Sequence, residues 1–295
     1  MSNECHSEES QLQSAAHIDV NGRRTRVFIE GDPHEPPILL LHGIGRSLED
    51  WAPQFSRYRR AGYRVIAPDL PGSGFSDRLQ APTTVRALAT SVLETLEVIG
   101  DANRVHVMGN SLGGAVALQL LTLKPDRVAT LVLANSGGFG SEMHPMLRLV
   151  ATPFIGRVAT RYTTRVSARM TERLLYVDQS LATRERIDHA LKIARQTDAG
   201  VVMHETARLL GTIRGVRPEW REALMADVSH HRRPTLIVWG DRDRILPVKQ
   251  LEAAHRFLPN ARVHLFEGVG HMPQIEVADE FASLTLEFLR LPAVA

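Results

Sequence analysis

Apolar positions along this chain fall into two kinds of run, and the two kinds alternate. Short continuous apolar stretches recur in "PPILLLHG" (36–43), "YRVIAPDLPG" (63–72), "VHVMGN" (105–110), "RVATLVLANS" (127–136), "TLIVWG" (235–240) and "ARVHLFEG" (261–268). The first is apolar throughout, as a parallel strand covered on both faces is, and the others read as further strands on that theme. Between them lie segments with apolar residues at helical spacing. "TTVRALATSVLETLEVIG" (83–100) has a cap at Thr83 or Thr84 and a stop at Gly100, and "VKQLEAAHRFLPN" (248–260) and "DEFASLTLEFLRL" (279–291) read the same way. Upstream, "AAHIDVNGRRTRVFIEG" (15–31) reads as two strands joined at Asn21-Gly22, a strong hairpin signal. Strand and helix in alternation predict an α/β fold with a mostly parallel sheet.

The alternation stops near residue 138 and resumes near 231. The text between is helical in composition and rich in Arg, Leu and Ala. This predicts one α/β core, residues 17–137 and 231–295, interrupted by a helical cap over 138–230. Such an insertion would lie over the carboxyl edge of the sheet, where ligands bind in open α/β folds. Residues 1–16 are expected to be a disordered polar tail.

Composition narrows the picture only a little. In 295 residues, 43% hydrophobic and 23% charged content are ordinary for a globular protein, and a net charge of +2 gives no reason to expect nucleic acid. Cys5 is the single cysteine, so no internal disulfide or thiolate metal site is expected. The leader lacks a basic region followed by an apolar one, and no apolar run approaches a membrane span. These readings predict a cytoplasmic protein without cofactor or metal. "HETAR" (204–208) begins like a zinc-binding helix but has Arg208 at the second histidine position. The arginines of "RVATRYTTRVSARMTERLL" (157–175) recur every three to four residues and are expected to form one solvated helix face.

The chemistry is concentrated at strand ends. In "VHVMGNSLGGAVALQL" (105–120) a serine, Ser111, sits between glycines at a strand-to-helix seam. It could cap the helix, or it could be a nucleophile held out of the sheet. A nucleophile needs a base, a group orienting the base, and N–H donors for an oxyanion. Asp241 and Asp243 follow the "TLIVWG" strand, and His271 follows the "RVHLFEG" strand.

The segments "LLLHGIG", "APDLPGSGFS", "GNSLGG", "VWGDRDRILP" and "GVGHMPQIE", in this order, resemble those of the α/β-hydrolase superfamily, in its serine hydrolase branch. The resemblance implies a mostly parallel eight-stranded sheet flanked by helices, with an inserted helical cap. It implies Ser111 as nucleophile, His271 as base and Asp243 as its acidic partner, Asp241 being the second choice. The backbone N–H groups of Ile44 and Leu112 would form the oxyanion hole, with His42 bracing that loop and Asp69 forming a turn. Serine at this position implies acyl transfer on a fairly apolar small-molecule ester, lactone or thioester. Two alternatives stand beside it. "GNSLGG" also resembles hydrolases of meta-cleavage products, which break a carbon–carbon bond, although "HMPQIE" lacks their tryptophan after the histidine. A slow-turnover ligand receptor on the same fold is the other.

Overall fold

A computed structural model of the protein describes residues 15–291. Most of the expected tail lies outside that range. Ala15 and Ala16, assigned to the tail, instead open the first strand, because they pair with Phe28 and Val27.

Eight strands form one sheet: β1 Ala15–Val20, β2 Arg23–Glu30, β3 Pro37–Leu41, β4 Arg64–Pro68, β5 Val105–Asn110, β6 Val128–Ala134, β9 Thr235–Gly240 and β10 Arg262–Phe266. The short strands β7 Gly211–Thr212 and β8 Gly215–Val216 pair separately. The order in the sheet is β1-β2-β4-β3-β5-β6-β9-β10. The β1–β2 and β2–β4 pairs are antiparallel and all others are parallel. Asn21 and Gly22, at φ 54° and 80°, make the turn of the first hairpin.

The continuous apolar runs hide a period of two. Along β3, Leu39 and Leu41 enter one apolar layer, while Ile38 and Leu40 enter the layer on the other face. The first layer receives α2 (Val85–Val98) and α3 (Leu112–Leu123), and Thr84 caps α2 by accepting the Ala87 N–H at 3.1 Å. The second receives α1 (Ala52–Arg60) and the C-terminal α12 (Ala278–Arg290), through Phe55, Tyr58, Phe281 and Phe288.

Between β6 and β9 the chain runs through α4 (Pro145–Val150), α5 (Pro153–Arg161), α6 (Arg165–Leu175), α7 (Arg184–Ala194), α8 (Ala199–Leu210) and α9 (Pro218–Val228). Helix α10 (Lys249–Phe257) and the single turn α11 (Pro273–Glu276) complete the chain. The arginine-bearing stretch, expected to form one solvated helix face, has its arginines exposed but spread over two helices, α5 and α6. Thr164 breaks it by capping α6, with its side chain and that of Ser167 each satisfying the other's backbone N–H.

Candidate active site

The carboxyl ends of β5, β6, β9 and β10 each deliver a polar residue to one edge of the sheet. Ser111 lies at the β5–α3 junction with φ 56° and ψ −117°, a conformation that costs a non-glycine residue on the order of 1–3 kcal/mol. The close crossing of strand and helix requires it. A Cβ on Gly113 would lie 2.1 Å from the Leu41 carbonyl oxygen, and one on Gly109 would lie 2.2 Å from that of Gly113. The chain must therefore reverse within a single residue. Ser111 makes no side-chain cap bond to α3, so its hydroxyl is not spent on the helix. Its backbone is pinned instead: its N–H donates to Ala134 O at 3.1 Å, and its carbonyl accepts from Gly137 at 2.9 Å.

His271 and Asp243 meet directly. The imidazole Nδ1 lies 2.7 Å from Asp243 Oδ2, with both side chains buried. Asp243 Oδ1 accepts the N–H groups of Ile245 at 2.7 Å and Leu246 at 3.0 Å, and Oδ2 also accepts from Asn135 Nδ2 at 2.6 Å. A buried carboxylate needs such donors to remain charged. With Nδ1–H donating to Asp243, Nε2 is left with its lone pair. Asn110 Nδ2 donates to the His271 carbonyl at 3.0 Å, tying the histidine's backbone to the residue before Ser111. No hydrogen bond joins Ser111 Oγ to His271 Nε2, and neither atom is sealed from solvent. Bonds of this kind often tighten only in the substrate complex.

The Ile44 and Leu112 N–H groups have no hydrogen-bond acceptor among the described residues, and both residues border the same cavity as Ser111. A Cβ built on Gly43 would lie 3.3 Å from Ser111 Cβ, which brings the Gly43-Ile44 loop against the serine. His42 braces that loop. Its Nε2 accepts the Leu70 N–H at 2.9 Å, which leaves Nδ1 to donate to the Gly43 carbonyl at 2.8 Å. Asp69 holds the neighbouring turns by accepting the Leu48 N–H at 2.8 Å and the Phe75 N–H at 2.9 Å. Burial pushes its carboxyl above the ordinary value, even with Arg26 beside it.

Two cavities share Ile44 and Leu112, and the smaller of them borders Ser111. The smaller, about 70 Å³, is walled by Met143, Leu147, Leu210 and Trp220. The larger, about 270 Å³, reaches Leu70, Thr171, Met203 and the pair Arg46–Glu172. Arg46 also binds Asp50 at 2.6 Å. Burial acts to lower the Arg46 pKa, but Asp50 and Glu172 outweigh it and hold it well above its ordinary value.

Of the residues expected from the sequence, Ser111, Asp243, His271, Ile44 and Leu112 are thus brought to one edge of the sheet. Asp241 is not in contact with His271; its Oδ1 accepts from Gly268 at 2.7 Å and Val269 at 3.3 Å, tying the loops after β9 and β10 together. His204 Nε2 donates to the Thr152 carbonyl at 2.9 Å, and Glu205 binds Arg78. Sequence reasoning missed Asn135, Asn110 and Glu276. Asn135 has φ 45°, and an asparagine directly after a strand and before "SGG" is the one signal that could have marked it. Glu276 accepts the N–H groups of Gly270, Val177 and Asp178, joining the loop before His271 to the end of α6.

A strained serine at the strand-to-helix turn, with a carboxylate-bound histidine three strands away, defines an α/β hydrolase, and the chain belongs to that family. A family model described as alpha/beta hydrolase fold matches residues 36–278. The chain is 32% identical over 282 residues to the dihydrolipoyllysine-residue acetyltransferase component of the acetoin cleaving system of Cupriavidus necator, covering 96% of this chain and 71% of that one. It is 30% identical over 249 residues to Lipase 1 of Psychrobacter immobilis, covering 83% and 74%. Among solved structures, 2-hydroxy-6-oxo-6-phenylhexa-2,4-dienoate hydrolase from Rhodococcus sp. strain RHA1 superposes with TM-score 0.79 at 22% identity, covering 94% and 98%.

Proposed function

We propose that this chain is a serine hydrolase that cleaves a carboxylic ester through an acyl-enzyme at Ser111, under a cap formed by residues 138–230. Ser111 Oγ attacks the ester carbonyl as His271 Nε2 takes its proton, and the oxyanion forms between the N–H groups of Ile44 and Leu112. The protonated His271 gives that proton to the departing alcohol. Water then repeats the sequence on the acyl-enzyme, releasing the acid and restoring the serine. Asp243 holds the imidazole in the tautomer that both steps need. Lactones and thioesters have the same reacting carbonyl and fall within the same reading.

The observation that carries this reading is that Ser111 holds a strained backbone while its hydroxyl serves no structural bond. A mere cap would need neither the strain nor the Asp243–His271 pair beside it. The names of the two curated relatives, a lipase and an acetyltransferase component, both denote acyl chemistry.

Carbon–carbon hydrolysis of a meta-cleavage product is disfavoured by the larger cavity. A dienoate carries a carboxylate that needs a cation. Arg46 is the one cationic side chain lining that cavity, and it is already shared by Asp50 and Glu172. Two carboxylates against one guanidinium leave that wall without positive charge to offer. The test is turnover of p-nitrophenyl butyrate, with labelling of Ser111 by a fluorophosphonate followed by mass spectrometry. Hydrolysis blocked by the label supports the reading. An unlabelled Ser111 in folded protein would overturn it in favour of a binding role, and faster turnover of a vinylogous diketone than of any ester would favour carbon–carbon cleavage.

A further inference from the structure

Helix α5 is built inside out. Its buried positions are Gly156 and Thr160, while Phe154 is 85% exposed, Val158 59% and Ile155 56%, with Tyr162 just beyond at 66%. A surface helix of a globular domain places these sizes the other way round. The small residues face inward because α5 packs closely on the end of α4 and on α8. A Cβ on Gly156 would lie 2.0 Å from Val150 O at the end of α4, and one on Gly200 of α8 would lie 2.7 Å from Thr160 O of α5. Helix α6 continues the outward apolar surface with Val166 and Met170, exposed by 70% and 66%.

Cations border this surface. At 3.6 residues per turn, Arg157 and Arg161 lie beside the Phe154–Val158 row on α5, and Arg165, Arg169 and Arg173 lie beside Val166 and Met170 on α6. All of these arginines are exposed, and the one acidic residue between 153 and 173, Glu172, is buried against Arg46. Arg165 pairs with Asp188. Arg157, Arg161, Arg169 and Arg173 have no carboxylate partner among the described residues. Phe154, Tyr162 and Val201 share an open groove with Arg157, Arg161 and Arg195. Thr160, Thr163, Ala194 and Gly200 line both this groove and the 270 Å³ cavity beside the active site.

We propose that the outward face of α5 and α6 docks on an anionic phospholipid bilayer, so that the ester is drawn from that bilayer through the wall at Thr160 and Gly200. Large apolar side chains beside unpaired arginines are what a helix lying in a lipid interface presents, the guanidinium groups meeting the phosphates while their stems follow the acyl boundary. None of the described helices is long and apolar enough to cross a membrane, so the contact is made at the surface. A second copy fits the face poorly, because a twofold contact would set the same arginines against one another. The docking depends on the surface alone. The supply of substrate from the bilayer rests on the ester hydrolase reading.

Docking is tested with Ser111→Ala protein, so that hydrolysis plays no part. Co-sedimentation with vesicles of phosphatidylcholine and phosphatidylglycerol, mixed about two to one, should retain the protein at least about tenfold better than phosphatidylcholine alone, with the difference lost near 0.5 M salt. The triple variant Phe154→Ser, Ile155→Ser, Val158→Ser, made in the Ser111→Ala protein, should lose retention. The same triple change in active protein should leave soluble p-nitrophenyl ester turnover unchanged, since these residues do not line the cavity. Arg157→Gln with Arg169→Gln should weaken only the anionic component. Equal retention of the triple variant, absence of retention on anionic vesicles, or a dimer in sedimentation velocity that the triple variant dissolves would each overturn the proposal. Retention without any esterase activity would leave the docking standing and remove its substrate.

Discussion

Asn135 donates its Nδ2 hydrogen to the oxygen of Asp243 that also accepts from His271, at 2.6 Å and 2.7 Å respectively. The carboxylate is thereby fixed between two donors from different strand ends, and the amide also reaches the Gly270 carbonyl at 3.3 Å. Removing a hydrogen bond to a buried charge costs about 1.5–3 kcal/mol. Asn135→Ala should therefore lower kcat by about ten- to a hundredfold through misalignment of the imidazole. Asn135→Asp should do worse, by setting a second carboxylate against the first. Comparison of the pH–rate profiles of the two variants checks this, because only the aspartate adds a negative charge beside the imidazole and should move the acid limb to higher pH.

The proposed triad makes a second set of expectations. Asp243→Asn should reduce kcat by about 10⁴ by favouring the wrong imidazole tautomer, and Ser111→Ala should abolish turnover of p-nitrophenyl butyrate. Ser111→Gly should be equally inactive yet more stable than Ser111→Ala. Glycine relieves the positive φ, a gain on the order of 1 kcal/mol that survives its greater unfolded-state entropy. Chemical denaturation of the two inactive variants reads the difference; equal stability would mean that the turn carries no strain.

The Arg46 cluster gives an asymmetric pair of outcomes. Arg46→Ala leaves Asp50 and Glu172 buried without their cation and should cost about 3–5 kcal/mol. Glu172→Gln leaves a neutral Arg46–Asp50 pair and should cost much less, about 1 kcal/mol. Denaturant midpoints at constant m-value decide this, and a Glu172→Gln variant as unstable as Arg46→Ala would show that the cluster is not charge-limited.

Acid sensitivity should come in part from His106. Burial lowers its pKa to about 4 from an ordinary 6.5, and Nδ1 lies 2.9 Å from Thr130 Oγ1. The folded state resists the proton that the unfolded chain accepts. Its contribution is therefore complete above pH 6.5 and is lost as pH falls from there through 4. Allowing for its partial exposure, the loss by pH 4.5 is about 2 kcal/mol. His106→Gln should flatten the stability curve over this window in urea titrations, while leaving stability at pH 8 nearly unchanged.

The central strands were legible because buried parallel strands have few polar positions to confuse them, and the Ser111 and Asp243 positions because each follows such a strand; β10, which precedes His271, is a largely exposed edge strand. Asn135 was not legible, since its role depends on Asp243 lying opposite it, which only the β6–β9 pairing creates. The arginines of 157–173 are solvated as expected, but the apolar residues beside them were not legible for a different reason. Periodicity finds two faces but does not say which is inside, and Gly156, Thr160 and Ala168 fill the inner one so fully that the larger apolar residues are left outward. Ala15 and Ala16 read as tail because a strand at the sheet's edge gains its order from its neighbour rather than from its own composition.

The His271 N–H donates to the Leu175 carbonyl at 2.8 Å, and Glu276 holds both Gly270 and the turn at Val177 and Asp178. The roof over the pocket and the proposed general base are therefore one mechanical piece. Any swing of the C-terminal end of α6 wide enough to admit a bulky molecule must either carry the imidazole along or sever these links, so access from that side and readiness for proton transfer cannot be set independently.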